Sequence, residues 1–384
     1  MKSFCISLFC LFFLQVSFGQ VRSTEKIDNA MPMRGLAIAA PSARGVDLFC
    51  KFIEEELAPA YFNMLILRVD WNYAYESHPE LRDNDPLTKA DVKKIVNACK
   101  KHNIRIAPQI NLLGHQSWAG TTHNLLRVYP EFDESPHLKT EDYDNLPHSG
   151  NEATYSDGLY CKSYCPLHPE VHKVVFALVD ELMEVFEAEW FHAGMDEVFH
   201  IGEDRCPRCG GKDKAELFAG EVTRIHNHLA LNNRKLMIWG DRLLDGKTTG
   251  LGAWEASLNN THRAIDLIPR DVFICDWHYE RADLTCVYFA MKGLDVATCP
   301  YRNPEFAALQ LKNMVDFRQQ TTRATRSHLQ GIIHTVWSGA DQFLRSYYNP
   351  ETFNLPANAD RARQQQGGDA RTLKRVIEEF KKLN

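Results

Sequence analysis

The chain has 384 residues, 44% of them hydrophobic, which is enough for a large core and for one large domain or two ordinary ones. Its formal net charge of -6 and isoelectric point near 6.2 give no reason to expect a nucleic-acid partner. Aromatic residues make up 11% of the chain and include 7 tryptophans, which is compatible with a sugar-binding cleft.

The first residues have the pattern of a secretory signal. Lys2 precedes an apolar run from Ile6 to Val16, and small residues around Gly19 suit cleavage. This run is too short to span a bilayer, and no later segment is apolar enough to do so. We therefore predict that residues 1–19 are a cleavable signal peptide and that the mature protein is exported, to the periplasm or outside the cell, with no membrane span.

Beyond this segment, short apolar runs alternate with amphipathic stretches. Predicted strands lie at Met33–Ala39, Met64–Val69, Ile104–Ile110, Trp190 to Asp196-Glu197, Lys235–Trp239, Val272–Cys275, Leu294–Thr298 and Gly331–Val336. Predicted helices lie at Val46–Leu57, Lys89–Lys101, Pro169–Glu189, Ala215–Leu231, Leu284–Lys292, Pro304–Arg318 and Ala370–Lys382. Eight strands, each followed by a helix or by a loop leading to one, predict an α/β protein with a single (β/α)8 TIM barrel over residues 20–384.

Two polar stretches interrupt the alternation. Gln116 to Leu167 is long and has little periodicity, and loops of that length in compact domains are usually lids or binding loops. Gln364 to Gly368 is predicted to be a linker before the last helix.

The ends of the predicted strands carry chemically active side chains. In a β/α barrel the reacting groups lie at the carboxyl ends of the strands. Each single tryptophan there is as consistent with barrel packing as with binding, but the set as a whole favours a functional site. The strand ends carry Asp70, His115, Asp196, Glu197, Asp241, Asp276, Trp277, Tyr301 and Trp337.

The adjacent Asp196 and Glu197 are the strongest candidates for chemistry. They end a strand that is predicted to be buried. Burial of a charge costs free energy, so carboxylates at such a position usually have a function. We interpret the pair as acid and base groups acting on a sugar, with aromatic side chains stacking on the sugar ring.

These residues also resemble a known family. His192-x-Gly194-x-Asp196-Glu197-Val198 is similar to the signature of glycoside hydrolase family 20, the β-N-acetylhexosaminidases. The resemblance extends from Arg34 to Trp337. The small α/β domain that often precedes the barrel is missing, so the chain resembles a short, hexosaminidase D-like member. Further similar segments are Arg34-Gly35, Pro79-Glu80-Leu81 and the run from Pro108 to Gly114-His115.

The resemblance implies a substrate-assisted mechanism that needs no cofactor and acts on glycans containing N-acetylhexosamine. The substrate's 2-acetamido oxygen is the nucleophile in this family, an exception to the usual pair of carboxylates. Glu197 is then the general acid and later the general base, and Asp196 stabilises the acetamido group. Two neighbouring carboxylates raise the pKa of one of them, which keeps Glu197 protonated near neutrality.

The resemblance also implies substrate-binding roles for residues at other strands. Arg34 is expected to bind ring hydroxyls, Tyr301 to bind the acetamido carbonyl, and Asp70 and His115 to relay protons toward Glu197. Structural packing is the alternative for His115. The residues expected to line the pocket are Trp239, Trp254, Trp277 and Trp337.

Some positions depart from the family pattern. Gln109 and Asn111 stand where family members usually carry Glu and Asp, and Met195 replaces a usual Gly. Asn303 stands where an Asp is common, and Ser338 where a Glu follows the last tryptophan. Because these changes affect hydroxyl recognition, a catalytically silent glycan-binding protein on the same barrel is the alternative function.

The cysteines form a second constellation. Of the 11 cysteines, Cys5 and Cys10 lie in the signal peptide, and the odd number left means that at least one thiol is free or paired between chains. Four of the remaining cysteines could either bind zinc or form disulfides. In both interpretations they hold together the loops after the third and fourth strands and take no part in catalysis. A zinc hydrolase is a third functional hypothesis, without an obvious open histidine site. The four are Cys161, Cys165, Cys206 and Cys209.

Overall fold

Eight parallel strands close into a barrel in the computed structural model, which describes residues 24–140, 161–349 and 361–384, with side chains of the last range from residue 368. The strands are β1 (Met33–Ala39), β2 (Met64–Arg68), β3 (Arg105–Leu112), β4 (Trp190–Gly194), β5 (Lys235–Trp239), β6 (Phe273–Trp277), β7 (Val296–Cys299) and β8 (Leu329–Thr335). Each strand pairs with the next along the chain, and β8 pairs with β1. The predicted (β/α)8 fold is confirmed.

Helices cover the outside of the barrel. They are α1 (Glu25–Ala30), α2 (Val46–Phe52), α3 (Lys89–Lys101), α4 (Asn124–Val128), α5 (Val171–Val185), α6 (Lys214–Ala230), α7 (Gly246–Thr249), α8 (Thr285–Met291), α9 (Pro304–Gln320), α10 (Arg323–His328), α11 (Ala340–Tyr348) and α12 (Arg361–Leu383). None of the helices in the described part of the chain has the length and hydropathy needed to cross a membrane. The predicted signal peptide, residues 1–19, lies outside the described residues.

Local sequence signals explain the helix that matches its prediction at both ends. Thr88 caps α3 by accepting a hydrogen bond from the backbone N–H of Asp91, and the Asp91 side chain accepts one from the Thr88 backbone N–H. The apolar stripe that includes Val92, Ile95 and Cys99 is buried. The capping box and the stripe therefore set both the start of α3 and the face that it turns to the barrel.

The predicted linker at Gln364–Gly368 is wrong, because this segment is part of α12. Gly368 lies against the backbone of Arg302, where an added Cβ would come within 2.9 Å of the Arg302 carbonyl oxygen. The glycine thus allows close packing of the helix rather than flexibility. The predicted helix at Val46–Leu57 divides into α2 and a π-helical segment at Ile53–Leu57.

Alternation along the strands creates two cores. In β4 every residue is buried, with Phe191 and Ala193 in the layer between barrel and helices and Trp190 in the barrel interior. Trp239 and Trp277, which end β5 and β6, belong to the same interior cluster. The interior is thus filled with side chains, and the strand ends carry their side chains at the mouth of the barrel.

Candidate active site

A strained turn after β4 holds the two adjacent carboxylates. Gly194 and Met195 have φ values of 69° and 72°, and Glu197 has a φ of 48°. At Gly194 a Cβ would lie 2.5 Å from the Asn111 side-chain oxygen, so this position requires glycine. Met195 stands where the family usually has Gly, and its positive φ costs about 1–2 kcal/mol for a side-chain-bearing residue. The turn directs two consecutive carboxylates into one buried site.

His115 contacts both carboxylates. Its Nε2 lies 3.1 Å from Asp196 Oδ2 and 3.4 Å from Glu197 Oε2. The preceding Gly114 permits this approach, because a Cβ there would lie 2.7 Å from the backbone oxygen of Asp196. On its other side the imidazole stacks on the half-exposed Trp118, with ring centroids 5.9 Å apart. The Gly-His pair at the end of β3 is thus part of the site.

Burial and charge give the two carboxyl groups different protonation states. Burial raises the pKa of Asp196, but the neighbouring His115 outweighs it, so the pKa ends below its usual value. Burial would lower the pKa of His115, yet Asp196 raises it well above its usual value. Burial, with the charges of Asp196 and Asp241, raises the pKa of Glu197 to about 7. An ionised Asp196 and a cationic His115 therefore coexist with a Glu197 that is mostly protonated below pH 7.

Asp241, two residues beyond β5, fixes the backbone of Glu197. Its Oδ2 accepts hydrogen bonds from the Glu197 backbone N–H at 3.0 Å and from Arg242 Nε at 2.6 Å. Its Oδ1 accepts a hydrogen bond from Trp277 Nε1 at 3.2 Å. The sequence placed Asp241 at a strand end but assigned it no role. In the structure it ties together the ends of β4, β5 and β6.

Aromatic side chains from three strand ends form one cluster. Tyr279 packs on Trp277 at 4.9 Å and on Tyr301 at 5.1 Å between ring centroids, and its hydroxyl accepts a hydrogen bond from Trp337 Nε1 at 2.7 Å. Burial raises the pKa of Tyr279 well above its usual value, so this hydroxyl keeps its proton. Tyr279 was not among the predicted site residues, although its position two residues after Trp277 was a usable signal.

Tyr301 is held differently. Burial, followed by the charge of Asp369 on α12, raises the pKa of its hydroxyl. Tyr301 packs on Tyr279 in the same aromatic cluster, and its expected contact with an acetamido carbonyl stays a prediction.

The remaining predicted pocket residues lie at the same end of the barrel. Trp239 is buried beneath Trp337, with ring centroids 5.5 Å apart, so it supports the pocket floor. Trp254 is partly buried and packs edge-on against Phe199. Asp70 accepts a hydrogen bond from the Asn111 backbone N–H at 2.9 Å.

Arg34 is placed away from these residues, which corrects its expected role in sugar binding. It lies near the start of β1, at the end of the barrel opposite the catalytic pair. Its guanidinium donates hydrogen bonds to the backbone oxygens of Met31 and Tyr61 and pairs with Asp28 at 2.7 Å. With the side chain 4% exposed and its donors engaged, Arg34 stabilises the bottom of the barrel.

Cys161 also differs from its expected place among four grouped cysteines. Its Sγ lies 3.4 Å from Glu197 Oε2 and 3.3 Å from His115 Nδ1. It is buried, and burial raises the pKa of its thiol, so the group is neutral. Cys161 is therefore part of the acid–base site, and the prediction that it groups with the other three cysteines is wrong. No disulfide joins any two of the cysteines that the structure describes.

Comparison with known proteins identifies the family. A profile described as glycosyl hydrolase family 20, catalytic domain, matches residues 71–360. Hexosaminidase D of Bos taurus is 22% identical over 295 residues, which cover 73% of this chain and 77% of that protein. A β-hexosaminidase of Akkermansia muciniphila is 26% identical over 159 residues, 40% of this chain and 29% of that protein, so the chain matches less than a third of that relative.

Solved structures agree in fold. A chitobiase of Flavobacterium johnsoniae matches with a TM-score of 0.58 and 16% identity over 92% of this chain and 52% of that chain. A β-N-acetylhexosaminidase crystal structure matches with a TM-score of 0.60 and 17% identity over 92% of this chain and 76% of that chain. At such identities the structural likeness shows the barrel alone. The family profile, in contrast, covers most of the chain, which therefore belongs to glycosyl hydrolase family 20 and is a glycoside hydrolase.

Proposed function

We propose that the protein is an exported exo-β-N-acetylhexosaminidase that removes terminal β-linked N-acetylglucosamine or N-acetylgalactosamine from glycans. Relatives in the family carry the names hexosaminidase D and β-hexosaminidase, and one matched crystal structure holds N-acetylglucosamine. The site supports this reading because it combines one protonated and one ionised carboxyl group beside a cluster of aromatic rings.

In the proposed reaction Glu197 donates its proton to the glycosidic oxygen as the bond to the anomeric carbon breaks. The substrate's acetamido oxygen attacks that carbon and forms a cyclic oxazolinium ion. Asp196 accepts a hydrogen bond from the acetamido N–H and stabilises the positive charge. Glu197, now ionised, then takes a proton from water, which attacks the anomeric carbon and reopens the ring with retention of configuration.

The observation that carries this proposal is the unequal treatment of the two oxygens of Asp196. His115 fixes Oδ2 at 3.1 Å, whereas the buried Oδ1 has no hydrogen-bond partner among the described residues. A buried carboxylate oxygen without a donor is costly, so a ligand N–H that reached it would be bound strongly. The N–H of a 2-acetamido group supplies such a donor. In a sugar without that group, the hydroxyl at C2 is the donor that would take its place.

Hydrolysis of chromogenic N-acetylglucosaminides and N-acetylgalactosaminides tests the proposal. We expect turnover by the wild type and a loss of about 10²–10⁴-fold in the Glu197→Gln variant, because general acid–base help is removed. Glu189→Gln is the matched control. Glu189 immediately precedes β4 at the opposite end of the barrel, is half-exposed and pairs with Lys235 at 2.6 Å, so its loss leaves turnover unchanged.

The result also decides between enzyme and binding protein. Gln109 and Asn111 replace acids that are usual in the family, and this replacement favours the silent alternative. In the structure Gln109 Nε2 donates a hydrogen bond to Asn111 Oδ1 at 2.9 Å. Wild-type protein that binds N-acetylhexosamine and turns over neither chromogenic sugar would support a glycan-binding protein and refute catalysis.

Export rests on the pattern of residues 1–19 and needs a separate test. The full chain, expressed with its own N-terminus in a bacterial host, is expected in the periplasmic or culture fraction with these residues removed. Intact mass measurement reads out the cleavage. A cytoplasmic protein of full mass would refute export without affecting the catalytic proposal.

A further inference from the structure

A second buried cluster lies outside the acid–base site. The side-chain ligand atoms of Glu134, Cys165, Cys206 and Cys209 all lie within 4.8 Å of one another, and all four residues are buried. The Cys165 Sγ is 3.3 Å from that of Cys209 and 3.5 Å from that of Cys206. The fourth member of the cluster is thus Glu134 and not Cys161. No motif spacing in the sequence indicated that Glu134 belongs to it.

The segment Cys206-Pro207-Arg208-Cys209-Gly210 folds into a tight turn around the sulfurs. The Cys209 backbone N–H donates to Cys206 Sγ at 3.4 Å, and the Gly210 N–H donates to the Cys206 carbonyl at 2.9 Å. A Cβ at Gly210 would lie 2.9 Å from that same carbonyl, so the turn requires glycine. Two cysteines separated by two residues on such a turn present their sulfurs to one point, and an N–H bond to sulfur favours the thiolate.

Glu134 supplies an independent observation. It is 0% exposed, and its Oε1 accepts a hydrogen bond from the Glu203 backbone N–H at 3.0 Å. Its Oε2 is buried and has no hydrogen-bond partner within the described ranges. A carboxylate buried next to three thiols is costly unless a cation compensates it.

A disulfide satisfies this cluster less well than a metal ion. Bonded sulfurs lie about 2.05 Å apart, and joining any two of the three would leave the third sulfur and the carboxylate oxygen without a partner. A tetrahedral ion takes one bond from each of the four residues. Three sulfurs and one oxygen at this spacing suit Zn²⁺ more than hard cations, which prefer oxygen alone.

We propose that Glu134, Cys165, Cys206 and Cys209 bind one structural zinc ion. The four ligands close the coordination shell, so this zinc stabilises loops and performs no catalysis. It joins the chain after α4 to the chain after β4, and both segments lead directly to the acid–base site. Cys165 is four residues beyond Cys161, and Cys206 is nine residues beyond Glu197.

Metal analysis of the purified wild-type protein is the first test. We expect about one zinc per chain, retained through desalting and released when the thiols are titrated with a mercurial reagent. Protein grown with Co²⁺ in place of Zn²⁺ should show the sulfur-to-cobalt charge-transfer band and the visible bands of a tetrahedral site. These readouts require no variant, so they hold even if the variants fold poorly.

Variants then locate the ion. Cys206→Ser and Glu134→Gln are expected to lose most of the zinc, whereas Cys50→Ser, a half-buried cysteine on α2 outside the cluster, retains it. Loss of zinc should also lower the melting temperature relative to the Cys50→Ser control.

Three outcomes would overturn the proposal. They are wild-type protein without zinc and with all thiols titratable, wild-type protein with a disulfide among these cysteines, and zinc that survives Cys206→Ser but is lost in His115→Gln. The last outcome would place the ion in the acid–base site.

Discussion

Replacement of His115 by Gln tests how the catalytic pair divides its protons. In the free enzyme, kcat/KM requires an ionised Asp196 and a protonated Glu197, so it falls at low pH as Asp196 is protonated and at high pH as Glu197 ionises. The high-pH limb is expected near the pKa of Glu197, about 7. Cationic His115 favours the ionised form of both carboxyl groups, so its removal raises both pKa values. Both limbs should therefore move to higher pH.

The size of the shift follows from the geometry. His115 Nε2 lies 3.4 Å from Glu197 Oε2, and both side chains are mostly buried. Two unit charges at that separation interact by about 1 kcal/mol at the dielectric constant of water and by about 5 kcal/mol at an effective value of 20. With about 1.4 kcal/mol per pKa unit, the high-pH limb should rise by roughly 1–3.5 pH units.

The assay is kcat/KM for a chromogenic N-acetylglucosaminide across the pH range, with His226→Gln as the matched control. His226 lies on α6 and pairs with the exposed Asp271, so its loss leaves both limbs in place. A high-pH limb that stays fixed or moves down in His115→Gln would refute the electrostatic reasoning. A limb that disappears would assign that titration to His115 itself rather than to Glu197.

Two further predictions concern residues whose roles the structure changed. Arg34→Ala should lower the free energy of unfolding by roughly 2–4 kcal/mol, because two buried carbonyl groups lose their donor. Denaturant titration measures this change. A marked loss of turnover per folded molecule would instead assign Arg34 to the active site. Tyr279→Phe should reduce kcat by about 10²-fold, and by more than Tyr301→Phe does, because Trp337 Nε1 holds the Tyr279 hydroxyl in place as a donor to charge that develops in the transition state. Steady-state kinetics of both variants decides, and the reverse order would favour Tyr301.

The barrel was predictable because each strand has a clear local sequence pattern. Each is a short apolar run with a polar end, and eight of them separated by amphipathic helices leave little choice of fold. Asp196, Glu197 and His115 were predictable for a related reason, since each lies two or three residues beyond the end of a strand and the carboxyl ends of parallel strands meet. Arg34 was wrong although it lies on a strand, because it stands at the beginning of β1 rather than at its end.

The remaining site residues depend on contacts that no local pattern encodes. Asp241 matters because it accepts the Glu197 backbone N–H from another strand, and Cys161 because a long loop returns it to the catalytic pair. Glu134 joins three cysteines through a loop more than 30 residues before the first of them. Such pairings are fixed by tertiary packing, and charge and motif spacing carry no information on them.

The different behaviour of two chemically similar neighbours is itself a product of the fold. Asp196 and Glu197 share one turn, one histidine and the same degree of burial, yet their pKa values move in opposite directions. His115 lies nearer to Asp196, while Glu197 has the thiol of Cys161 on one side and the carboxylate of Asp241 at its backbone. Burial, followed by the charges of Asp196 and Asp241, opposes ionisation of Glu197, so the proton is retained there although the Cys161 thiol donates a hydrogen bond to Oε2. The left-handed backbone that separates the two side chains is therefore what creates an acid and a carboxylate from two adjacent carboxyl groups.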